Sequence, residues 1–155
     1  MNHPQGRKNP APGVHVFSNQ GTVVFLTVAT EKRRPWLACA EAHAALHTVW
    51  KDAAGWLVGN YMLMPDHLHC ICVPGPGDFA MERWIAYWKH AFWKKTGHPE
   101  WKWQSRGWHH RLRSDESWEA KWNYIHHNPV RAGLACDPAE WPFQGRVHDL
   151  GLTHL

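Results

Sequence analysis

The chain lacks any apolar run long enough to cross a membrane, and its polar, proline-containing N-terminus has no signal-peptide core. A reduced, cytoplasmic setting with no membrane partner is the expectation. Cysteine is scarce: Cys39, Cys70, Cys72 and Cys136 show no CxxC spacing, and they read as small buried hydrophobes rather than a metal or disulfide framework. Internal repeats and low-complexity segments are absent. With 155 residues the chain is one domain able to bury a real core, and it is too short for an eight-stranded α/β barrel of about 250 residues. Acid is missing from one long stretch. Between Arg83 and Arg113, Glu100 is the only carboxylate against eight Lys or Arg residues.

Tryptophan is abundant, at twelve residues, and six fall inside this basic stretch: Trp84, Trp88, Trp93, Trp101, Trp103 and Trp108. Cations meet phosphates and aromatic faces stack on unpaired bases, so the mixture suits single-stranded nucleic acid. A solvated face with some core tryptophans is the competing reading. The candidate phosphate contacts are Arg83, Lys89, Lys94, Lys95, Arg106 and Arg111, joined by Arg7 and Lys8 in a flexible basic arm over residues 1–13.

Around Pro65-Asp66, two apolar runs form a hairpin, since proline fixes φ and aspartate favours turns. Side chains alternate across a strand, so His67 and His69 share one face while Cys70 and Cys72 take the other. Two imidazoles so placed could hold one metal ion with an open shell, or simply be a polar pair on a solvated face.

Along the chain, residues 22–30 read as a buried central strand. A helix from about Leu37 to Ala54 follows, with Leu37, Ala44, Ala45 and Val49 as its buried stripe and Gly55 as its stop. Strands at 57–64 and 67–73 come next. A second helix then runs from an Asp78 N-cap to about Lys95, with Gly97 beyond its end and Trp84, Trp88 and Phe92 as core. A fourth strand falls near Trp108–Leu112. Ser114 caps a third helix, with Asp115 and Glu116 in its first turn, ending near Asn128 because of Pro129. The order matches an α+β, ferredoxin-like βαββαβ sandwich with an antiparallel sheet and an additional C-terminal helix. Residues 14–143 form the domain, and 144–155 a C-terminal tail.

On the third helix Trp118, Trp122 and Ile125 make the apolar face, leaving Tyr124 off it, with Lys121 one turn earlier and Asn128 four residues later. Helical spacing lets the Tyr124 hydroxyl and Asn128 amide point at one place, and an amide oxygen is a ligand that hard cations accept.

The segments Tyr61-Met62-Leu63-Met64-Pro65-Asp66-His67-Leu68-His69 and Tyr124-Ile125-His126-His127-Asn128-Pro129-Val130-Arg131-Ala132-Gly133-Leu134 resemble the REP-associated tyrosine transposases, of the single-tyrosine His-hydrophobe-His superfamily. Trp103-Gln104, Leu112-Arg113 and Asp137-Pro138-Ala139-Glu140-Trp141-Pro142 agree too. The resemblance implies His67 and His69 as metal ligands, Asn128 as the third, and Tyr124 as nucleophile. Asp66 stands where asparagine is frequent, and His109 where an acid is expected before His110. It implies Mg²⁺ or Mn²⁺, single-stranded and hairpin DNA as partners, a monomer or homodimer, and a nucleoid-associated place in the cytoplasm. On ligand softness two histidines tolerate manganese or zinc better than magnesium.

The implied chemistry is cleavage and rejoining of one DNA strand through a 5′-phosphotyrosine intermediate, mobilising hairpin-forming repeats. Lys121 or His127 could assist proton transfer. A catalytically silent hairpin-binding regulator and a metal-dependent nuclease using water as nucleophile are the rival readings.

Overall fold

A run of β-branched and aromatic residues makes β1 (Val24–Ala29) the strand at which the sheet is anchored, every residue but Thr27 being buried. The computed structural model describes residues 22–113 and 116–152, so Arg7, Lys8, Ser114 and Asp115 lie outside the described residues. β1 pairs on one side with β3 (His67–Pro74) and on the other with β4 (Trp108–Arg111). β2 (Trp56–Leu63) pairs with the far side of β3. All pairings are antiparallel, and the order β4-β1-β3-β2 is the ferredoxin-like arrangement expected from the sequence. A fifth strand, β5 (Gln144–Arg146), adds to the free edge of β2, and Leu150 and Leu152 pack against the sheet. Residues 144–152, set apart above as a tail, thus pack against the domain.

The two sheet faces have different cover. On one, Leu68, Cys70 and Cys72 of β3 meet α1 (Ala40–Asp52) and α2 (Met81–Thr96) in the main core. Trp84, Trp88 and Phe92 lie in that core as their spacing predicts. On the other face, Val23, Phe25, Ile71 and Val73 lie under Trp118, Trp122 and Ile125 of α3 (Trp118–His126).

Helix ends differ from expectation, each for a local reason. Leu37 precedes α1, which starts after the extended Cys39, and its N–H bonds the Pro65 carbonyl at 3.0 Å. Ala44 faces solvent, and the buried stripe is Ala42, Ala45, Leu46, Val49 and Trp50. Gly55 does not cap the helix, which ends at Ala53. A Cβ on Gly55 would come 3.1 Å from the Phe79 ring, so this glycine permits a close approach. Asp78 is not an N-cap: α2 starts at Met81 behind Ala80, and Asp78 itself sits at φ 54°. Gly97 does end α2, at φ 68°, its N–H bonded to the Trp93 carbonyl.

α3 starts later than expected. Ser117 takes the N-cap, its hydroxyl accepting from the Ala120 N–H at 3.2 Å. The helix also stops sooner, at His126; Pro129 is accommodated in the first turn of a separate short helix, α4 (Asn128–Arg131). Among the described residues no helix is long and apolar enough to cross a membrane. Since Ser117 is the cap, Ser117→Ala should lower stability by about 1 kcal/mol in urea denaturation. An unchanged midpoint would place the helix start elsewhere.

Candidate active site

β3 is where the site begins. Its pleat puts His67 and His69 on the face beneath α3, their ring centroids 4.9 Å apart and nearly perpendicular at 85°. Each ring is oriented through Nδ1. Asp66 Oδ1 lies 2.8 Å from His67 Nδ1, and the Thr27 hydroxyl lies 2.9 Å from His69 Nδ1. Thr27 stands directly opposite His69 in the β1–β3 register. Asp66 is held in turn by Arg33 Nε at 3.0 Å, so the turn aspartate serves the histidine instead of nearby backbone. Burial pushes the Asp66 carboxyl up, but hydrogen bonds from Arg33 and His67 outweigh this and bring it below its ordinary value.

A carboxylate on Nδ1 fixes that nitrogen as an N–H, so Nε2 is the atom of His67 left to meet a metal. His69 is kept neutral over a wide range: burial, then the charges of His67 and Arg131, push its pKa down to about 3. Two imidazoles oriented from behind fit an open two-histidine metal site. Among the described residues no group of three His, Cys, Asp or Glu side chains is arranged to hold a metal, so further donors must be other oxygens.

Over this face lies the tip of α3. Trp122 and Ile125 pack against Met62 and Met64, close to where Met62 pairs with His69. Tyr124 points away from that contact and is 66% exposed, so packing does not explain it. Asn128 and Tyr124 are not on one continuous helix, because the chain breaks at His127. Arg131 joins them instead. Its guanidinium carbon lies 3.8 Å from the Tyr124 ring centroid, and Nη2 donates to Asn128 Oδ1. Asn128 Oδ1 is therefore engaged by Arg131, with no described hydrogen bond to either histidine.

Lys121 and His127 are both committed. Lys121 Nζ is 3.2 Å from Glu116 Oε2, and His127 Nδ1 is 2.8 Å from the Asn123 carbonyl oxygen. Glu116 collects more: His110 Nε2 at 3.0 Å and the Arg113 N–H at 2.7 Å. It does not sit in the first turn of α3, as expected, but ties β4 to that helix. His110 thus has its carboxylate, supplied from downstream rather than from the preceding position. His109 points the other way, buried, with Glu82 of α2 at 3.8 Å.

No family model matches the chain. A REP-associated tyrosine transposase of Escherichia coli K12 is 28% identical over 127 residues, covering 80% of this chain and 76% of that protein. The solved structure of a REP-associated tyrosine transposase bound to a REP hairpin superposes with a TM-score of 0.67 at 22% identity, covering 100% of this chain and 98% of that one. The chain is similar in sequence to one REP-associated tyrosine transposase and shares the fold of another.

Set beside that family, the side chains nominated for phosphate contact are spread out. Lys89 and Arg106 line one cavity of about 650 Å³ with Trp108 and His109, at the β4 edge. Lys89 is half-buried there, donating to the Gln104 carbonyl at 2.8 Å, and burial lowers its pKa. Arg83 lies in a different cavity with Phe79 and Tyr87. Lys94 and Lys95 are exposed in the last turn of α2, and Arg111 is exposed at the end of β4. Of the six tryptophans in the basic stretch, Trp93 and Trp108 are exposed. Trp84 and Trp88 are core, while Trp101 stacks on Trp36 and Trp103 meets it edge-on.

Sequence reasoning missed four residues of the site. Thr27 and Arg33 act across 42 and 33 residues of chain, and only the strand register could have pointed to Thr27; Glu116 reaches partners within six residues, but its sequence position suggests a first-turn acid instead. Arg131 had a local signal, since it lies three residues from Asn128 and seven from Tyr124.

Glu116 yields a pH test. Burial would raise its pKa, but the Arg113 N–H, His110 and Lys121 together pull it down to about 2 from an ordinary 4.5. A depressed folded-state pKa contributes stability above the unfolded value, lost as pH falls through the folded one. The stability gap between wild type and Glu116→Gln should thus close as pH falls from about 4.5 toward 2. A gap independent of pH would show that the carboxylate charge contributes nothing.

Proposed function

We propose that this protein is a single-tyrosine transposase that cuts and rejoins single-stranded DNA at hairpin-forming repeats. The observation carrying this reading is the pairing of an exposed tyrosine, Tyr124, with two oriented imidazoles, His67 and His69, on the one sheet face that its helix covers. The homologues add support, since they are REP-associated tyrosine transposases and one is bound to a REP hairpin.

In the reaction, Tyr124 Oη attacks a DNA phosphorus and its proton leaves. The bond from phosphorus to the 3′-oxygen breaks, and that oxygen takes up a proton. The products are a 5′-phosphotyrosine and a free 3′-hydroxyl. A second 3′-hydroxyl then attacks the phosphotyrosine and restores the phenol, so the ester's energy is retained for joining. A phenol near pKa 10 is mostly protonated at neutral pH and needs help to attack. Of the two nearby bases, His127 has Nδ1 spent on backbone, so Nε2 is its proton-accepting atom; Lys121 would first have to leave Glu116. The His67 and His69 Nε2 atoms, with Asn128 Oδ1, would hold Mg²⁺ or Mn²⁺, whose charge polarises and orients the phosphate when bound. Tyr124 is exposed for a reason on this reading: its target is a macromolecule that brings its own cover.

Tyr124→Phe keeps the ring and loses only the hydroxyl. It should form no covalent protein–DNA adduct with tailed hairpins from the same genome, while binding them within about twofold of wild type, as expected when only a reacting group is removed. Cleavage at the wild-type rate without an adduct would instead mean that water attacks. Binding with no cleavage by wild type would mean a silent hairpin-binding protein.

For the metal, Mn²⁺ titration followed by electron paramagnetic resonance should show one site on the free protein. His67→Ala and His69→Ala should each weaken it by about 10–100-fold or more, the loss typical even for orienting partners of a metal ligand. Equal affinity in all three proteins would remove the histidines from the site.

A further inference from the structure

Among the described residues, Arg131 is the cation placed at the reacting end of the proposed site. It covers the Tyr124 ring at 3.8 Å and holds Asn128 Oδ1 through Nη2. Other arginines near the site have carboxylates: Arg33 pairs with Asp66 and Arg113 lies 4.0 Å from Glu116. Arg131 forms no ion pair with any described carboxylate. A guanidinium carries five N–H donors in a planar fork suited to two oxygens of one phosphate, and one nitrogen here is enough to hold Asn128.

Building on the reading of Tyr124 as nucleophile, we propose that Arg131 is a further catalytic residue, the guanidinium that grips the non-bridging oxygens of the phosphate Tyr124 attacks. Of the candidate phosphate contacts nominated from sequence, Arg83, Lys89, Lys94 and Lys95 sit on α2, on the opposite face of the sheet from the histidines. A guanidinium stacked on the phenol is carried with it, so whatever phosphate meets the hydroxyl also meets the fork. Negative charge on the non-bridging oxygens is then opposed by fixed donors as the new bond forms. Arg131 acts here as a hydrogen-bond donor and transfers no proton. Through Nη2 it also keeps the Asn128 oxygen in place.

The test uses the full chain and a tailed hairpin under single-turnover conditions. Arg131→Gln should slow adduct formation by about 100-fold, as for loss of one oxyanion donor, while hairpin affinity falls only by the factor that one lost phosphate contact costs. Free guanidinium added to Arg131→Gln should restore part of the rate, and Arg131→Lys should fall between the two. A second measurement needs no turnover. In the Tyr124→Phe protein with chelator present, a single neutral methylphosphonate scanned along the strand should weaken binding at the phosphate that wild type cleaves. Adding Arg131→Gln should abolish that difference. Adduct formation by Arg131→Gln at the wild-type rate, or an unchanged methylphosphonate effect, would overturn the assignment while leaving Tyr124 as nucleophile. If wild type forms no adduct at all, the reading of Tyr124 fails and this inference falls with it.

Discussion

The alternation of β3 is the constraint on which the rest depends. Its even-numbered residues Leu68, Cys70 and Cys72 fill the core beneath α1 and α2, while His67, His69, Ile71 and Val73 face α3. A slip of one residue would turn the thiols to the site and bury the imidazoles without partners. The register that prevents this is held from both sides, by β1 and by β2. It also decides the chemistry, because it sets Thr27 opposite His69 and so gives that ring its orienting hydroxyl. Core packing and site geometry are the same interaction seen from two faces.

The tyrosine side is built more loosely. None of the residues of α3 is fully buried; it rests on half-covered Trp118, Trp122 and Ile125 and on the Glu116 links to His110 and Lys121. A helix held this way keeps Tyr124 accessible. The break at His127 then turns the following residues into a separate short helix, which brings Arg131 back over the Tyr124 ring. Had the helix run on to Asn128, as its sequence suggests without Pro129, the tyrosine and the amide would share a face and no arginine would be needed to connect them.

Much of this could be read from the chain alone, because its signals are local. The run at 22–30, the Pro65-Asp66 turn and the spacing of Trp84, Trp88 and Phe92 each name their own structure, and together they yield the ferredoxin-like strand order. Helix starts are less legible: α2 begins behind Ala80, which offers no side-chain cap, and α3 has two candidate serines. Asp78 and Ser114 have the right chemistry, but the helices begin at Met81 and Trp118, and Ser117 is the serine that caps. β5 was invisible because Gln144-Gly145-Arg146 has no strand-like pattern. Its place is explained by Tyr61, whose hydroxyl would collide with any side chain at Gly145. Tyr61 itself is buried with His43 and His47 at 2.7 and 3.1 Å from its hydroxyl, a satisfied polar group that its sequence neighbours did not reveal. The basic stretch was legible as composition but not as a surface, since it divides among α2, a loop and β4.

The outer strands of the described sheet are its shortest, β4 with four residues and β5 with three. Every longer strand is paired along both sides for at least part of its length. An edge this brief presents few unmatched N–H and C=O groups, and on β4 they lie among Trp108, His109, His110 and Arg111. Two copies meeting there would align few hydrogen bonds and bring like charges together. Growth by strand addition, the usual hazard of an open antiparallel sheet, is thereby blunted.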